Sequence, residues 1–149
     1  MASVTNAQVI QRLSILIADS RPYSRLLTRT MLSQLDIRKI HEAGEGKAAI
    51  DAILNLRPDV VILDWDISGP GAQQVLRQAR DPKQVHNPEL PIIVLSSSGR
   101  IADVQEAIDL GASQYMIRPV SPKMIEQRLL GIVADARRQA LRQKQPARD

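Results

Sequence analysis

Small groups of acidic, hydroxyl and basic residues stand directly after the short apolar runs of this sequence. The clearest example is Asp64, which follows the apolar run 60–63 and precedes Trp65 and Asp66. A carboxylate can attack phosphorus when a divalent cation and a fixed positive charge offset the charge of the phosphoryl group. Residues of the types that this chemistry needs stand in comparable positions along the chain: Asp19, Ser20, Asp64, Asp66, Ser96, Ser97 and Arg118.

The run 60–63 predicts a strand that is buried on both faces, because all four residues are apolar and three are β-branched. Pro58 precedes the run and the Gly- and Pro-rich residues 68–71 follow it, so the strand should end near Asp64. In an open α/β sheet, the carboxyl ends of buried parallel strands face the crevice where ligands bind. This stretch alone leaves open whether Asp64 belongs to a site or only caps a turn.

Five apolar runs alternate with five helical patterns. Helical periodicity follows each run, and the last helix begins with Ser121 as a plausible N-cap and Pro122 at its first position. Alternation of this kind gives a parallel sheet covered on both faces, with right-handed crossovers. We therefore expect an α/β fold, a doubly wound five-stranded parallel sheet with five helices. The predicted strands are 14–18, 37–42, 60–64, 90–95 and 114–117.

This topology brings distant polar residues to one edge of the sheet. Asp19, Asp64, Ser96 and Arg118 each follow a different predicted strand, so their side chains should converge. Close carboxylates repel each other and need a cation, and such oxygens suit Mg²⁺. Ser96 could then hydrogen-bond a group attached to Asp64, and Arg118 could pair with it.

The composition excludes several other kinds of site. The 149 residues fit one domain, and 44% hydrophobic but only 2% aromatic residues predict an aliphatic core. The chain has no Cys, which excludes disulfides and thiolate chemistry, and His41 and His86 are isolated. No apolar run approaches the roughly 18 residues of a membrane span, and no signal peptide is visible. We expect a cytoplasmic protein without a membrane partner.

The positive charge is concentrated at one end of the chain. The net charge is +4 and the pI is about 9.8. No aromatic residues alternate with the terminal cations, so no specific nucleic-acid binding is expected. The predicted organisation is an N-terminal extension over 1–12, a domain over 13–136 and a basic tail over 137–149. The tail cations are Arg137, Arg138, Arg142, Lys144 and Arg148, against the single acid Asp149.

Five segments stand in an order and spacing that together are typical of one family: 15–19, 63–65, 95–96, 111–115 and 118–119. By these segments, roughly residues 13–134 of the chain resemble the receiver domain of two-component response regulators, with a flavodoxin-like fold. The resemblance implies that Asp64 accepts a phosphoryl group from a histidine kinase or phosphotransfer protein. It implies Mg²⁺ held by Asp19, Asp64 and the backbone carbonyl of Asp66, with Ser96 as the switch hydroxyl. Tyr115 matches an aromatic residue that moves between exposed and buried positions.

The resemblance also implies how a signal would leave the domain. The face made by the fourth predicted helix, the fifth strand and the fifth helix would bind a downstream protein. Only about fifteen residues follow Ala134, too few for a DNA-binding domain. We expect a stand-alone, chemotaxis-regulator-like signalling protein rather than an enzyme, acting through protein contacts as a monomer or weak homodimer.

Three departures from the family pattern leave two alternatives for the function of this chain. Ser20 stands where the family has a second acid, Arg118 replaces a Lys, and residues 67–69 replace a Met-Pro-Gly turn. A missing carboxylate predicts weak Mg²⁺ binding, which the side chain of Asp66 could offset if it turned inward, although it more readily faces solvent. The chain is then either a working phospho-switch or a pseudo-receiver that binds partners without phosphorylation.

A minor alternative is an enzyme. Residues 60–68 also resemble the first motif of haloacid-dehalogenase-type phosphatases, in which a second Asp two places on acts as acid and base. That family needs a late acidic pair at a strand end. Here the late acids Asp103, Glu106 and Asp109 fall within a helical pattern.

Overall fold

A computed structural model describes residues 3–144 and contains six helices and five strands within that range. In chain order these are α1 (Asn6–Ile10), β1 (Ser14–Ala18), α2 (Pro22–Gln34), β2 (Lys39–Ala43), α3 (Gly46–Leu56), β3 (Val60–Asp64), α4 (Gly71–Ala79), β4 (Ile92–Ser96), α5 (Ile101–Asp109), β5 (Gln114–Ile117) and α6 (Pro122–Lys144).

The five strands form one parallel sheet in the order β2-β1-β3-β4-β5. The central strand β3 is buried along its whole length and ends at Asp64, as the flanking Pro and Gly residues predicted. Asp64 lies opposite Leu95 of β4, so Ser96 is the next residue along that neighbouring strand. The predicted doubly wound α/β fold is confirmed.

The sheet separates two apolar layers. Val61 and Leu63 of β3 pack in a cluster with α3, α4 and α5. Val60 and Ile62 of the same strand pack in the opposite cluster with α1, α2 and α6. Because successive side chains of a strand point to opposite faces, a fully apolar β3 anchors both layers. Both layers are largely aliphatic, as the composition predicted.

The helix count differs from the prediction by one short element. Residues 6–10 form α1, which Thr5 caps by accepting from the backbone N–H of Gln8. Ile10 at its end is 2% exposed and joins the cluster that contains α6. Five residues are too few for helical periodicity to be distinguished in the sequence, so tertiary contact rather than propensity fixes this helix.

The last helix is longer than expected. The predicted basic tail begins at residue 137, but α6 continues to Lys144. Residues 137–144 contain only Arg, Gln, Ala, Leu and Lys, which are strong helix formers. Residues 145–149 of the predicted basic tail lie outside the described residues. Within residues 3–144, no helix is both long enough and apolar enough to cross a membrane.

Candidate functional site

Three of the predicted site residues are in direct contact at the carboxyl edge of the sheet. Asp19 follows β1, Asp64 ends β3, and both side chains are almost completely buried. Nη1 of Arg118, which follows β5, lies 2.9 Å from Oδ1 of Asp64, and its Nη2 lies 3.4 Å from Oδ2 of Asp19. The backbone N–H of Arg118 donates to the carbonyl of Ser96 at 2.8 Å, which holds the backbone of Arg118 next to the end of β4.

A second guanidinium belongs to the site and was not predicted from the sequence. Nη2 of Arg21 lies 3.4 Å from Oδ1 of Asp64, and its Nε lies 3.7 Å from Oδ1 of Asp19. The backbone N–H of Arg21 also donates to Oδ1 of Asp19 at 2.9 Å. The Arg21 side chain is 53% exposed, whereas that of Arg118 is 19% exposed. Its position two residues after Asp19, just before Pro22 starts α2, was the available signal.

Ser20 stands where the family pattern has an acid, and its side chain links two loops. The amide of Ser68 donates to Oγ of Ser20 at 2.7 Å, and Oγ of Ser20 lies 2.9 Å from Oγ of Ser68. The carbonyl of Ser68 in turn accepts from the amide of Gly46 at 2.9 Å. The departures at positions 20 and 68 are therefore complementary, and together they tie the β1–α2 loop to the β3–α4 loop.

Ser96 is buried and Asp66 is exposed, although Ser96 ends the strand next to β3 and Asp66 lies two residues after Asp64. Ser96 is fully buried, and its Oγ accepts from the amide of Ser98 at 3.0 Å, which leaves its own hydrogen free to donate. Asp66 is exposed, so its side chain does not replace the missing acid inside the pocket.

Aromatic and polar contacts connect the end of β3 with α5. Trp65, next to Asp64, packs edge-to-face on Tyr115, with ring centroids 6.4 Å apart. The half-buried Tyr115 donates its hydroxyl to the carbonyl of Ser98 at 2.8 Å. Oγ of Ser98 donates to Asp103 at 2.5 Å. This hydrogen bond, followed by one from Arg100, lowers the pKa of Asp103 and keeps it ionised.

The environment of Asp64 acts on its charge in opposite directions. Burial raises the pKa of Asp64 above its usual value of 3.8, and the nearby Asp19 adds to this effect. The hydrogen bond and positive charge of Arg118 lower the pKa, and Arg21 does so to a smaller extent. The two guanidinium groups therefore favour the ionised carboxylate that a nucleophile requires.

The donor atoms fit Mg²⁺ by chemical type, because a hydrated Mg²⁺ ion takes only one or two carboxylates. Asp19 and Asp64 supply these oxygens. Among residues 3–144, however, no group of three or more His, Asp or Glu side chains is placed to hold a metal ion. A metal ion must also compete with Arg21 for Oδ1 of both carboxylates.

The parallel five-stranded sheet and its buried acidic pocket define a receiver-type signalling module. Residues 15–130 match the family described as response regulator receiver domain, and the chain belongs to this family. Family members bind Mg²⁺ in the active site and interact with histidine kinases and downstream targets.

Several curated proteins share this domain. A protein-glutamate methylesterase/protein-glutamine glutaminase 1 from Myxococcus xanthus is 32% identical over 74% of this chain and 31% of its own length. The probable transcriptional regulator ycf27 of Guillardia theta is 32% identical over 80% of this chain and 44% of its own length. The chain thus spans less than half of either protein. The chemotaxis protein CheY1 of Helicobacter pylori is 25% identical over 78% of this chain and 94% of its own length.

Solved structures show the same fold. The receiver domain of the putative response regulator NarL from Mycobacterium tuberculosis matches with a TM-score of 0.72 and 23% identity, over 82% of this chain and 96% of that one. The receiver domain of sensor histidine kinase PA1611 from Pseudomonas aeruginosa matches with a TM-score of 0.74 and 20% identity, over 82% of this chain and 98% of that one. That structure has a magnesium ion coordinated in its active site cleft.

Proposed function

We propose that this protein receives a phosphoryl group on Asp64 from a histidine kinase or phosphotransfer protein. The observation that carries the proposal is the buried carboxylate of Asp64 at 2.9 Å from the guanidinium of Arg118, which also contacts Asp19. A carboxylate beside a fixed cation, at the carboxyl edge of a parallel sheet, is placed to act as a nucleophile towards phosphorus.

In the proposed step, an oxygen of Asp64 forms a bond to phosphorus. The bond between phosphorus and the donor's imidazole nitrogen breaks, and its electron pair leaves with the imidazole. Arg118 offsets the charge of the equatorial phosphoryl oxygens, and the free hydrogen of Ser96 is available to donate to one of them. No proton has to leave Asp64, because its reactive form is the carboxylate.

Asp19, Asp64 and the backbone carbonyl of Asp66 would hold Mg²⁺ in this proposal. When bound, the ion supplies positive charge to the phosphoryl oxygens. We expect weak binding, because Ser20 contributes no carboxylate and Arg21 already pairs with both acids.

The proposed output is a contact with a downstream protein through the face formed by α5, β5 and α6. This face carries exposed apolar side chains: Ile101 and Ile108 on α5 are 84% and 46% exposed, and Ile117 on β5 is 47% exposed. Exposed apolar groups on one face are typical of interaction surfaces. Phosphorylation would act on this face through Ser96 and Tyr115, the predicted switch residues.

A pseudo-receiver that binds partners without phosphorylation is the second candidate. The Ser20–Ser68 link and the already paired carboxylates favour it, because they can hold the pocket in one state. A phosphatase has less support, since Asp66 is exposed and Asp103, Glu106 and Asp109 all lie on α5. Independence from an attached effector domain stays a prediction.

Intact-mass spectrometry after incubation with acetyl phosphate and Mg²⁺ tests the phospho-acceptor role. We expect a gain of one phosphoryl group in the wild type and none in Asp64→Asn. Asp66→Asn is the matched control, because Asp66 is an exposed acid only two residues away and should leave labelling intact. An unlabelled wild type with unchanged Trp65 fluorescence would favour the pseudo-receiver instead.

A further inference from the structure

The pocket of this protein reaches charge balance with its own side chains. Two buried carboxylates, Asp19 and Asp64, face two guanidinium groups, Arg21 and Arg118, at distances of 2.9 to 3.7 Å. The family pattern, with a second acid at position 20 and a single Lys at position 118, needs a divalent cation to reach the same balance. The change at position 20 removes one negative charge, and Arg21 adds one positive charge beside it.

We propose that Arg21 is a catalytic residue that supplies the counter-charge for the phosphoryl group, so that Asp64 accepts the group without a divalent cation. This inference deepens the proposed function and rests on it. It assigns to a residue of the β1–α2 loop the role that the family pattern gives to the metal ion.

The placement of Arg21 suits this role. Its Nη2 lies 3.4 Å from Oδ1 of Asp64, the carboxylate to which phosphorus would be attached. Its backbone N–H donates to Asp19 and Pro22 follows it at the start of α2, while its side chain is 53% exposed, so an incoming group can reach the guanidinium from solvent. A planar guanidinium presents two parallel donors to two phosphoryl oxygens, which a compact ammonium group cannot do.

The charges after transfer support the same conclusion. The phosphorylated Asp64 would carry two negative charges and Asp19 one, against the two positive charges of Arg21 and Arg118. The sum is one net negative charge. The family pattern reaches the same sum after phosphorylation, because its three acids then face one Lys and a bound Mg²⁺. With acetyl phosphate as donor, the new bond joins phosphorus to an Asp64 oxygen, and the bond from phosphorus to acetate breaks. Acetate leaves with the electron pair.

The experiment compares labelling by acetyl phosphate in EDTA with labelling in Mg²⁺, by intact mass over time. Four folded proteins are compared: the wild type, Arg21→Ala, Arg21→Lys and Arg29→Ala. Arg29 is the matched control, because it also lies on the α2 side of the sheet but pairs with Glu42 at 2.9 Å. Circular dichroism verifies that each variant is folded, and titration of Trp65 fluorescence with Mg²⁺ measures metal binding separately.

We expect the wild type and Arg29→Ala to be labelled in EDTA at a rate close to that in Mg²⁺. Arg21→Ala should lose roughly tenfold or more of its rate in EDTA, as expected for a lost charge-assisted contact to the reacting group. It should recover in Mg²⁺ and bind the ion more tightly than the wild type does. Arg21→Lys should keep part of the rate in EDTA, because the charge remains.

Two results would overturn the inference in different ways. The role of Arg21 would be refuted if the wild type were labelled only in Mg²⁺, or if Arg21→Ala were labelled in EDTA as fast as the wild type. Either result would leave the phospho-acceptor proposal intact. A wild type that is unlabelled in both conditions would overturn both proposals.

Discussion

At the scale of single residues, the charge of Asp64 depends on its neighbours in the pocket. Burial disfavours the carboxylate, whereas Arg118 and Arg21 favour it. The net result is a raised pKa for Asp64. Because only the ionised form can attack phosphorus, the same contacts control both the reactivity of this residue and its contribution to folding.

This balance predicts the sign of a pH effect on stability. Between the usual pKa of 3.8 and the raised pKa, the folded protein holds more protons at Asp64 than the unfolded chain does. The unfolding free energy contributed by Asp64 should therefore fall as the pH rises through this interval and then level off. Denaturant unfolding of the wild type and Asp64→Asn across the acidic range measures the difference.

The carboxyl carbon signal of Asp64, followed by NMR through the same titration, gives the pKa directly. We expect its midpoint above 3.8 in the wild type, and a still higher midpoint in Arg118→Ala, which lacks the main stabilising hydrogen bond. A midpoint below 3.8 in the wild type would mean that ion pairing outweighs burial, and the slope of the stability difference would then be reversed.

At the scale of helices and strands, local patterns predicted most of the fold. Uninterrupted β-branched runs identified β3 and β4, and Pro58 and the Gly- and Pro-rich residues 68–71 placed the end of β3 at Asp64. The short α1 is not among the five predicted helices, because tertiary packing fixes it. The extension of α6 to Lys144 is consistent with the helix propensity of residues 137–144, whose charge outweighed that propensity in the prediction of a basic tail.

The sequence predicted the site residues that the sheet topology brings together. It did not predict the contacts that depend on particular side chains in the loops. Parallel strands necessarily bring Asp19, Asp64 and Arg118 together. The bond between Ser20 and Ser68 joins residues 48 positions apart, and no pattern in one sequence indicates such a pair. Arg21 is an exposed basic residue in a loop, and its position two residues after Asp19 is the one local feature that sets it apart from a solvated side chain.

The connection between α4 and the α5–β5 turn depends on Arg80 and Gly111. Nε and Nη2 of Arg80 donate to the carbonyl of Gly111 at 2.9 and 2.7 Å, and Nη1 donates to the carbonyl of Pro88 at 3.0 Å. Gly111 has a φ of +100°, and a Cβ added there would lie 2.8 Å from Nε of Arg80.

Gly111→Ala should therefore lower the unfolding free energy by about 1–3 kcal/mol, through backbone strain and displacement of Arg80. Gly131→Ala is the matched control, since Gly131 is an exposed interior residue of α6 with no atom near an added Cβ. It should raise the unfolding free energy by roughly 0.5–1 kcal/mol. Urea unfolding measures both changes, and equal effects at the two positions would contradict this account.

At the scale of the whole molecule, a chain of contacts leads from Trp65, next to the proposed acceptor Asp64, to the proposed output face. Trp65 packs on Tyr115, Tyr115 bonds the carbonyl of Ser98, and Ser98 bonds Asp103 near the start of α5. The opposite apolar layer contains α1 and does not include these residues. A change at Asp64 should therefore reach α5 and leave α1 undisturbed.

Tyr115→Phe tests this connection by amide hydrogen exchange. Loss of one hydroxyl contact should speed exchange across residues 98–104 by about three- to tenfold, the equivalent of one net hydrogen bond. Tyr23→Phe is the matched control, because Tyr23 is 72% exposed on α2. Exchange over residues 6–10 should not change in either variant. Unchanged exchange over residues 98–104 in Tyr115→Phe would show that the contact to Ser98 does not hold this loop.

The long last helix also fixes the beginning of the described chain. Nη1 and Nη2 of Arg137 donate to the Asn6 side chain and the Val4 carbonyl, both at 2.6 Å. Arg137 is fifteen residues along α6 from Pro122, about 22 Å by helical rise. Because the chain contains no Cys, Ser3→Cys and one further cysteine introduced on α5 would be the only attachment points for a pair of spin labels. The distance between the two labels would measure how far α5 moves relative to the start of the described chain.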